Sequence, residues 1–478
     1  MRRLCICLFI FSLVFVGMAP ERGFANAGPT YWQGYPSAEV LVIDENCPVE
    51  VTREKLLLDL NAEGKYSYTI TGKVTASYEM VNPTDKDLSV QMAFPFVSSL
   101  ADFRPEDITI TANGSPLPYK LYIGDTVNGR ADPSQDKTDA DLLFENIINT
   151  VTNKPYQAQQ FSEHEQGKLY TLIVQPTTEQ RINIALDLTW DHDKTKVLVD
   201  GFNRYKRDKE KVRIASWCYE PTMLQLLVLG DAIDFHITAY TDGELKQETD
   251  LFDCQISSKK TDLKSYLIDY ARGYKMSPNQ LETPDRQIVG ISDEQLYNMY
   301  AATLDKILTD NWGFCSSGDL VAQNRSDRVM TLVYTVDFPA DSHKNMTVHY
   351  KTIGTMDRRK TATPVYTFNY ILNPAQSWSN FQNLTIEVLT PEESPYVVYS
   401  NIELAKENQR HYRARLNTLP DGDFIFSIYA REKITAWDKL YGAWHFTFGY
   451  FTPLVTGGIG IMMLAVATTI LLKRKKAG

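Results

Sequence analysis

The 478-residue sequence is poor in the residues and motifs that mark the common catalytic sites. It has seven histidines and six cysteines, and no two cysteines stand in the C-x-x-C spacing of zinc ribbons and thioredoxin-like redox centres. A P-loop, a G-x-G-x-x-G fingerprint, an H-E-x-x-H zinc helix and a G-x-S-x-G nucleophile elbow are also absent. The sequence therefore supports none of these enzyme classes, and it predicts no catalytic residue, no metal ligand and no cofactor.

Basic residues are also in deficit, because 49 Lys and Arg stand against 59 Asp and Glu. Nucleic-acid phosphates require a basic surface, so this balance argues against nucleic-acid binding. Apolar and charged fractions of 43% and 23% lie near the globular average, which excludes a disordered chain and a polytopic membrane protein. Residues 1–27 carry a formal charge of +2 and residues 473–476 carry +4. The rest of the chain therefore has a formal charge of −16, against −10 for the whole chain. Such a surface favours cationic ligands or metal ions over polyanions.

The two ends of the chain predict secretion and membrane anchoring. Met1-Arg2-Arg3 precedes an apolar run over residues 4–19 and the small-residue step Ala25-Asn26-Ala27, which is the pattern of a cleaved secretory signal peptide. An uncleaved N-terminal anchor is the alternative. Residues 446–472 contain no Asp, Glu, Lys or Arg and are long enough to cross about 30 Å of hydrocarbon. We therefore expect an extracellular ectodomain, one transmembrane helix in plasma-membrane lipid, and a basic cytoplasmic tail over residues 473–478.

The start of this predicted span resembles the cell-wall sorting signals of Gram-positive bacteria. Thr452-Pro453 and Thr456-Gly457 are followed by an apolar run and a basic tail, whereas those signals carry Leu-Pro-any-Thr-Gly. Thr452 replaces the leucine, and one extra residue separates Pro453 from Thr456-Gly457. The resemblance implies cleavage by a transpeptidase, but the uninterrupted apolar length favours a plain membrane anchor.

Alternating apolar and polar residues predict a mainly β fold. Residues 74–80 alternate, residues 82–85 form a polar turn, and residues 88–92 resume the alternation, which predicts a hairpin. Residues 75–94 and 331–350 share the order of strand, polar turn and strand, which indicates an internal duplication.

Short strands recur over residues 169–240 and again over residues 330–429, where their regular spacing is typical of a β-sandwich. We therefore expect two β-sandwich domains, at residues 28–273 and 319–436. A polar loop and a short helix predict an insertion in the first domain near residues 126–168.

The segment between these domains, residues 274–318, predicts a linker followed by an amphipathic helix. Ser292 and Gln295 form an S-x-x-Q capping box, Ile291 is placed to pack on the first turn, and Gly313 ends the pattern. The helix has one apolar stripe, which consists of Leu296, Tyr300, Leu304, Ile307 and Leu308. A helix with one apolar face must bury that face, so we expect it to pack against a sheet.

The strings Tyr78-Glu79-Met80-Val81-Asn82-Pro83 and Met92-Ala93-Phe94-Pro95-Phe96 resemble a hairpin of uncharacterised membrane-anchored surface proteins of Gram-positive bacteria. They are more distantly similar to the β-sandwich that opens the inter-alpha-trypsin-inhibitor heavy chains. That family continues with a domain bearing an Asp-any-Ser-any-Ser metal site. The nearest string here, Asp132-Pro133-Ser134-Gln135-Asp136, lies in a polar loop, so the resemblance does not imply a metal site.

Two polar clusters contain residue types that bind metals. Asp191-His192-Asp193 is one, but three consecutive residues point in different directions, which favours a solvated turn. The other contains carboxylates, which calcium prefers as ligands. It lacks the glycine that a calcium-binding loop has at its sharp turn, so an acidic solvated loop is the favoured interpretation. This second cluster consists of Asp132, Asp136, Asp139 and Asp141.

Four cysteines follow the predicted signal peptide: Cys47, Cys218, Cys254 and Cys315. Their even number in an oxidising compartment allows two disulfides in three connectivities, and four buried thiols are the alternative. Cys315 follows the predicted helix, and a helix C-terminus raises the pKa of a thiol. We expect Cys315 to be structural rather than a nucleophile.

These observations predict a cell-surface, single-pass protein that acts as a non-enzymatic binding or structural module, with a protein or glycan ligand at its ectodomain. One alternative is an extracellular hydrolase in which two Asp or Glu side chains converge in a pocket. The other is an extracytoplasmic sensor or accessory subunit whose span contacts a membrane partner. A pocket with converging carboxylates would favour the hydrolase over the binding module.

Overall fold

The computed structural model describes residues 30–32, 34–35, 37–43, 46–61, 68–101, 103–127, 151–273 and 291–476, except for the side chains at 373, 374, 450, 453, 454 and 472–476. Four predicted features lie outside the described residues: the signal peptide, the acidic loop containing Asp132, Asp136, Asp139 and Asp141, the short helix of the predicted insertion up to residue 150, and the linker up to residue 290.

The described residues are mostly β-strand, which confirms the mainly β fold. The strands before residue 127 are β1 Tyr31–Trp32, β2 Ser37–Ala38, β3 Leu41–Val42, β4 Glu50–Asp59, β5 Thr71–Asn82, β6 Leu88–Ser98, β7 Thr109–Ala112, β8 Ser115–Pro116 and β9 Lys120–Thr126. The middle strands are β10 Gln166–Pro176, β11 Ile182–Thr189, β12 Thr195–Asp200, β13 Arg204–Asp208, β14 Lys211–Cys218, β15 Thr222–Gly230, β16 Asp234–Tyr240, β17 Glu248–Thr249 and β18 Phe252–Asp262.

The remaining strands follow residue 313. They are β19 Phe314–Ser316, β20 Arg328–Phe338, β21 Ser342–Ile353, β22 Thr355–Asp357, β23 Val365–Ile371, β24 Leu384–Leu389, β25 Tyr396–Ser400, β26 Ala405–Lys406, β27 His411–Leu416 and β28 Phe424–Tyr429. The α-helices are α1 Leu263–Ala271, α2 Asp293–Asp310, α3 Ser317–Ala322, α4 Ala436–Phe448 and α5 Thr452–Lys476.

Three sheets combine strands from the two ends of the chain, and we call this unit, residues 30–126 and 328–429, the framework. Its eight-stranded sheet has the order β26-β27-β24-β4-β5-β21-β7-β8, and its other sheets are β3-β6-β20-β9 and β1-β22-β23-β28-β25, with β2 on β23. One apolar core is shared by all three sheets. These pairings cross the predicted boundary, so the division into domains 28–273 and 319–436 is wrong for the framework strands.

The predicted hairpin of β5 and β6 is also wrong. β5 pairs with β21 along 12 residues of register and β6 pairs with β20, so the turn after Asn82 carries the chain from one sheet to another. Asn82 fixes this turn, because its amide nitrogen donates to the carbonyls of Lys86 and Pro339 at 2.7 and 2.9 Å. The two segments with the same strand-turn-strand order therefore pair with each other. Alternation identified their inward faces correctly, but it does not specify a partner strand.

The middle strands form a second unit, which we call the inserted sandwich. Its sheets have the orders β18-β10-β15-β12-β19 and β13-β14-β11-β16-β17, and their inward side chains form a separate apolar core. β19 comes from beyond α2 and runs parallel to β12. The chain thus leaves the framework, builds the inserted sandwich, and returns through α1 and α2.

Helix α2 starts where the sequence predicts. The Ser292 hydroxyl accepts a hydrogen bond from the Gln295 backbone N–H at 3.3 Å, and Ile291 is buried. The Gln295 side chain does not return to the cap. It accepts from the Ile123 N–H at 3.1 Å and donates to the Thr152 carbonyl at 2.8 Å, so it connects α2 to β9 and to residue 152. Four residues of the apolar stripe are buried in the framework core, and Ile307 packs half-buried against it.

Two helices follow the last strand. α4 begins at a capping box in which Thr435 and Asp438 exchange hydrogen bonds. A Cβ on Gly442 would lie 2.2 Å from the Thr361 nitrogen, so only glycine lets α4 approach the backbone of residues 360–361 this closely. Within the described residues, no helix combines the length and the hydropathy of a membrane span.

Candidate functional site

The Asp191-His192-Asp193 segment forms the turn between β11 and β12. The Asp193 N–H donates to Asp191 Oδ1 at 3.1 Å, and Lys194 Nζ lies 3.2 Å from Asp191 Oδ2. These two groups lower the pKa of the Asp191 carboxyl. Across the described parts of the chain, no three His, Cys, Asp or Glu side chains lie close enough together to hold a metal ion. The Asp191 carboxylate thus shapes a turn.

Cys218, Cys254 and Cys315 carry free thiols. Cys218 and Cys315 are buried and Cys254 is half-buried, and none of these three forms a disulfide. Burial, with a smaller contribution from Asp319, raises the pKa of Cys315. Cys315 therefore stays protonated at neutral pH and lacks the thiolate that a nucleophile requires.

One pair of carboxyl groups does converge, but inside the framework core. Glu39 lies between β2 and β3, Glu54 lies in β4, and both residues are 0% exposed. The Tyr78 hydroxyl donates to Glu39 Oε2 from the neighbouring strand β5. Because neither carboxyl reaches solvent, a substrate cannot contact this pair, and it gives no support to the hydrolase alternative.

An open groove lies beside β25. Its volume is about 220 Å³, and its lining includes Val397, Tyr399, Ile402, Leu404 and Tyr412. Typical small-molecule sites have volumes of roughly 300–1,000 Å³ and enclose most of the ligand. This groove is smaller and open, so it is a weak candidate for a small-molecule site.

A cluster of aromatic and basic side chains lies at one edge of the inserted sandwich, where β13 of one sheet meets β19 of the other. We call it the aromatic edge; it consists of Trp190, His192, Tyr205, Arg207, Trp312 and Phe314. The ring centroids of Tyr205 and Phe314 are 4.4 Å apart, and those of Trp190 and Phe314 are 6.4 Å apart. These contacts join the edges of the two sheets.

Trp312 reaches this edge because of the way α2 ends. α2 stops at Asp310, and Trp312 and Gly313 both have left-handed backbone conformations, with φ of 53° and 75°. The Gly313 N–H donates to the Leu308 carbonyl at 2.8 Å, which closes the helix end. Phe314 then enters β19. The reversal of direction leaves the Trp312 side chain at the outside of the sandwich.

Arg207 fixes Trp312 in this conformation. Its Nη1 donates to the carbonyls of Asn311 and Trp312 at 3.2 and 3.0 Å, and its guanidinium carbon lies 5.3 Å from the ring centroids of both Trp190 and Trp312. The His192 ring stacks on Trp312 with centroids 5.6 Å apart. A bulky residue with positive φ costs about 1–3 kcal/mol, so these contacts must offset that strain.

Despite these contacts, Trp312 is 56% exposed and Tyr205 is 44% exposed. The Asp193 carboxylate lies 3.6 Å from His192 Nε2 and its side chain is 85% exposed. Two exposed rings held by fixed neighbours form a pre-organised contact surface, since little side-chain entropy remains to be lost on binding. The surface suits a ligand with one apolar face and polar groups around its rim.

Of the residues on this surface, the sequence pointed only to His192, as part of an Asp-His-Asp cluster that it predicted to be a solvated turn rather than a metal site. The sequence signal for this surface was the Trp312-Gly313 pair. A glycine just after a helix marks a left-handed backbone, and Trp312 falls outside the apolar stripe of α2. Glu54 was missed as well. It occupies the inward position of the alternating series Glu54, Leu56 and Leu58, where a carboxyl group must be buried.

No protein family matches the chain, and no curated protein matches it. Among solved structures, the chain is similar to a protein of Legionella pneumophila that is described provisionally as a nutrient binding protein. The TM-score is 0.34 at 8% identity, over 84% of this chain and 73% of that chain. A likeness at this level carries no argument about fold or ligand.

Proposed function

We propose that this chain is a cell-surface protein, anchored in the plasma membrane by its C-terminal helix, which binds saccharides at the aromatic edge without catalysing a reaction. The observation that carries the binding proposal is Trp312, which is 56% exposed although its left-handed backbone is fixed by Arg207. Backbone strain persists only where surrounding structure fixes it, and such positions cluster at ligand sites.

The chemistry of the aromatic edge favours saccharides among possible ligands. A saccharide ring has C–H groups on one face and hydroxyls around its rim, so it stacks on an aromatic ring and hydrogen-bonds to charged neighbours. Trp312 and Tyr205 provide the rings, while Asp193 and His192 provide hydrogen-bonding groups. The acidic excess of 59 over 49 ionisable side chains favours neutral saccharides over polyanions.

The anchoring proposal rests on the uncharged residues 446–472 and on the exposed side chains of α5. Ile461, Met462, Met463 and Val466 are 55–71% exposed, although they are apolar. A row of exposed apolar side chains is unfavourable in water and favourable in lipid, and the basic residues that follow favour the cytoplasmic side. The predicted signal peptide and the resemblance of residues 78–96 to bacterial surface proteins support the same location.

Isothermal titration calorimetry of the full-length protein tests the binding proposal. The probes are chitotetraose, cellotetraose and maltotetraose, and we expect at least one to bind saturably. Trp312→Ala should weaken that binding about tenfold or more, since it removes a central aromatic contact. Tyr219→Ala is the matched control, because Tyr219 is 66% exposed on the same sandwich but lies outside the aromatic edge. Binding that is unchanged in Trp312→Ala, or absent with all three probes, would refute the proposal.

Membrane extraction tests the anchor separately. The full chain should stay in the membrane pellet after alkaline carbonate washing, and a chain ending at residue 445 should appear in the medium. Recovery of the full chain in the carbonate supernatant would contradict anchoring but would leave the binding result unaffected.

A further inference from the structure

The framework core contains two glutamates that the proposed function does not use. Glu39 lies in the segment between β2 and β3, and Glu54 lies in β4 of the eight-stranded sheet, so they approach from opposite layers of the core. Both are 0% exposed. A β-bulge between Val51 and Arg53 shifts the register of β4 just before Glu54. After the bulge, Glu54 shares the inward face of the strand with Leu56.

Glu39 is the hydrogen-bond acceptor of this cluster. The Tyr78 hydroxyl donates to its Oε2. Burial raises the pKa of Glu39, and the Glu54 carboxyl, the Tyr78 and Tyr370 hydroxyls and the Val40 N–H, which face it, oppose that rise. A carboxylate surrounded by donors can remain ionised even in a core, because the donors replace the water it has lost.

Glu54 has the opposite environment. Among the described residues, neither of its oxygens has a hydrogen-bond partner of normal geometry, and it adjoins a second carboxyl group. Burial and the adjacent Glu39 raise the pKa of Glu54 well above its ordinary value. A protonated Glu54 carries no charge, so it does not repel Glu39. Its O–H also donates a hydrogen bond to Glu39, which gives the Glu54 carboxyl a partner.

The groups that face the pair from every neighbouring element are tyrosines. They are Tyr78 on β5, Tyr334 on β20, Tyr350 on β21 and Tyr370 on β23, and burial raises the pKa of each. Within the described residues, no Lys, Arg or His is among the groups that interact with either glutamate. The pair therefore has no cation to neutralise a second negative charge.

We propose that Glu39 and Glu54 share one proton across the framework core, and that losing this proton at alkaline pH separates the segment at residues 37–42 from the eight-stranded sheet. The pair is then a pH-sensitive lock between the layers. β2 pairs with β23 and β3 pairs with β6, so the segment that carries Glu39 connects two sheets, and its release would expose both.

The sign of the effect follows from proton linkage. The folded state keeps a proton on Glu54 at pH values at which the unfolded chain, with an ordinary value of 4.5, has lost it. Stability is therefore greatest below that value and falls as pH rises toward the folded pKa. Above the folded pKa the pair carries two charges, and the core is at its least stable.

Thermal unfolding of the full-length protein from about pH 5 to about pH 9 tests this proposal. The wild type should lose melting temperature steadily over this range. Glu54→Gln keeps a hydrogen-bond donor for Glu39 but has no proton that titrates. Its melting temperature should therefore depend much less on pH and should exceed that of the wild type by several degrees at the alkaline end. Glu39→Gln retains the buried acid and should keep the alkaline loss. Glu79→Gln, at an exposed position on β5, is the control and should follow the wild type.

Two further results would overturn the proposal. The first is a melting temperature that depends on pH equally in the wild type and in Glu54→Gln. The other is a lower melting temperature after EDTA treatment of the wild type, because a bound cation would then hold the pair. If Glu54→Gln fails to fold, the infrared spectrum of the wild type decides, since a shared proton requires a protonated carboxyl band at neutral pH that exchanges slowly in heavy water.

Discussion

Substitution of Glu387 by glutamine provides a quantitative test of how much a half-buried ion cluster stabilises the framework. Glu387 lies on β24 and is 8% exposed. Its Oε1 accepts from Arg413 Nε and Nη2 at 3.1 and 3.0 Å, while its Oε2 lies 3.3 Å from Lys55 Nζ and 3.6 Å from His411 Nε2. The cluster therefore joins three neighbouring strands, β4, β24 and β27, through one carboxylate.

The expected magnitude follows from the bonds that are lost. Hydrogen bonds between charged groups contribute about 1.5–3 kcal/mol each, and the Arg413 and Lys55 side chains are 25% and 52% exposed, which reduces the total. We expect Glu387→Gln to destabilise the framework by about 2–3 kcal/mol, since the cations remain close together without their counter-charge. For a unit of this size, that corresponds to a fall in melting temperature of roughly 5–10 °C.

The same sheet offers a matched control. Arg53 Nη1 and Glu79 Oε1 also lie 2.9 Å apart, but their side chains are 61% and 50% exposed. Glu79→Gln should therefore change stability by about 0.5 kcal/mol or less. Calorimetry or circular dichroism on the two full-length variants at neutral pH measures both effects. Equal melting temperatures for Glu387→Gln and Glu79→Gln would refute the reasoning.

The dependence on pH gives a second check. Burial alone would raise the pKa of Glu387, but Lys55 and Arg413 outweigh burial and lower it. Its contribution to stability is therefore complete above the ordinary value of 4.5 and is lost as pH falls through the lower folded pKa. The gap between the wild type and Glu387→Gln should close in acid. The Glu54 proton has the opposite sign, so the two sites are separable by pH.

Two further predictions concern the turn after β5 and the contact of α4. Asn82→Ala removes five hydrogen bonds made by a 0% exposed side chain, so it should cost about 2 kcal/mol or more, and a loss of melting temperature below 2 °C would contradict this. Gly442→Ala places a methyl group where the Thr361 nitrogen lies 2.2 Å away, so α4 should detach and trypsin should cleave after Lys433 about tenfold faster. Unchanged cleavage would show that α4 accommodates the methyl group.

Alternation in the sequence predicted which residues face the core, but it could not predict which strands pair. Val74, Ala76, Tyr78 and Met80 are all buried as their spacing requires. Their strand β5 pairs on one side with the preceding strand β4 and on the other with β21, more than 250 residues away, and no local pattern specifies a contact over that distance. The turn at Asn82 has the residue types of a hairpin turn, but it is held by the distant Pro339 carbonyl and so leads into another sheet.

Helix α2 shows the opposite case, because its start depends on neighbours in sequence. Ser292 and Ile291 act locally, and both were predicted. The aromatic edge was not predicted, since it requires Trp312 from one end of α2 to meet Arg207 and His192 from two other strands and turns. A site assembled from distant segments leaves only a faint local trace, here the Trp312-Gly313 step.

The interleaving of the framework has a consequence for how the chain folds as it is made. Thr75 and His349 are hydrogen-bonded neighbours but are 274 residues apart in sequence, and closing such a loop costs about 5 kcal/mol of chain entropy. During synthesis from the N-terminus, β4, β5 and β6 emerge long before β20, β21 and β24. The inserted sandwich therefore assembles nearly all of its strands first. Until the later strands arrive, the apolar faces and unpaired edges of β4, β5 and β6 stay exposed and prone to aggregation. The framework closes last, so folding of this protein should be slow and sensitive to holding chaperones.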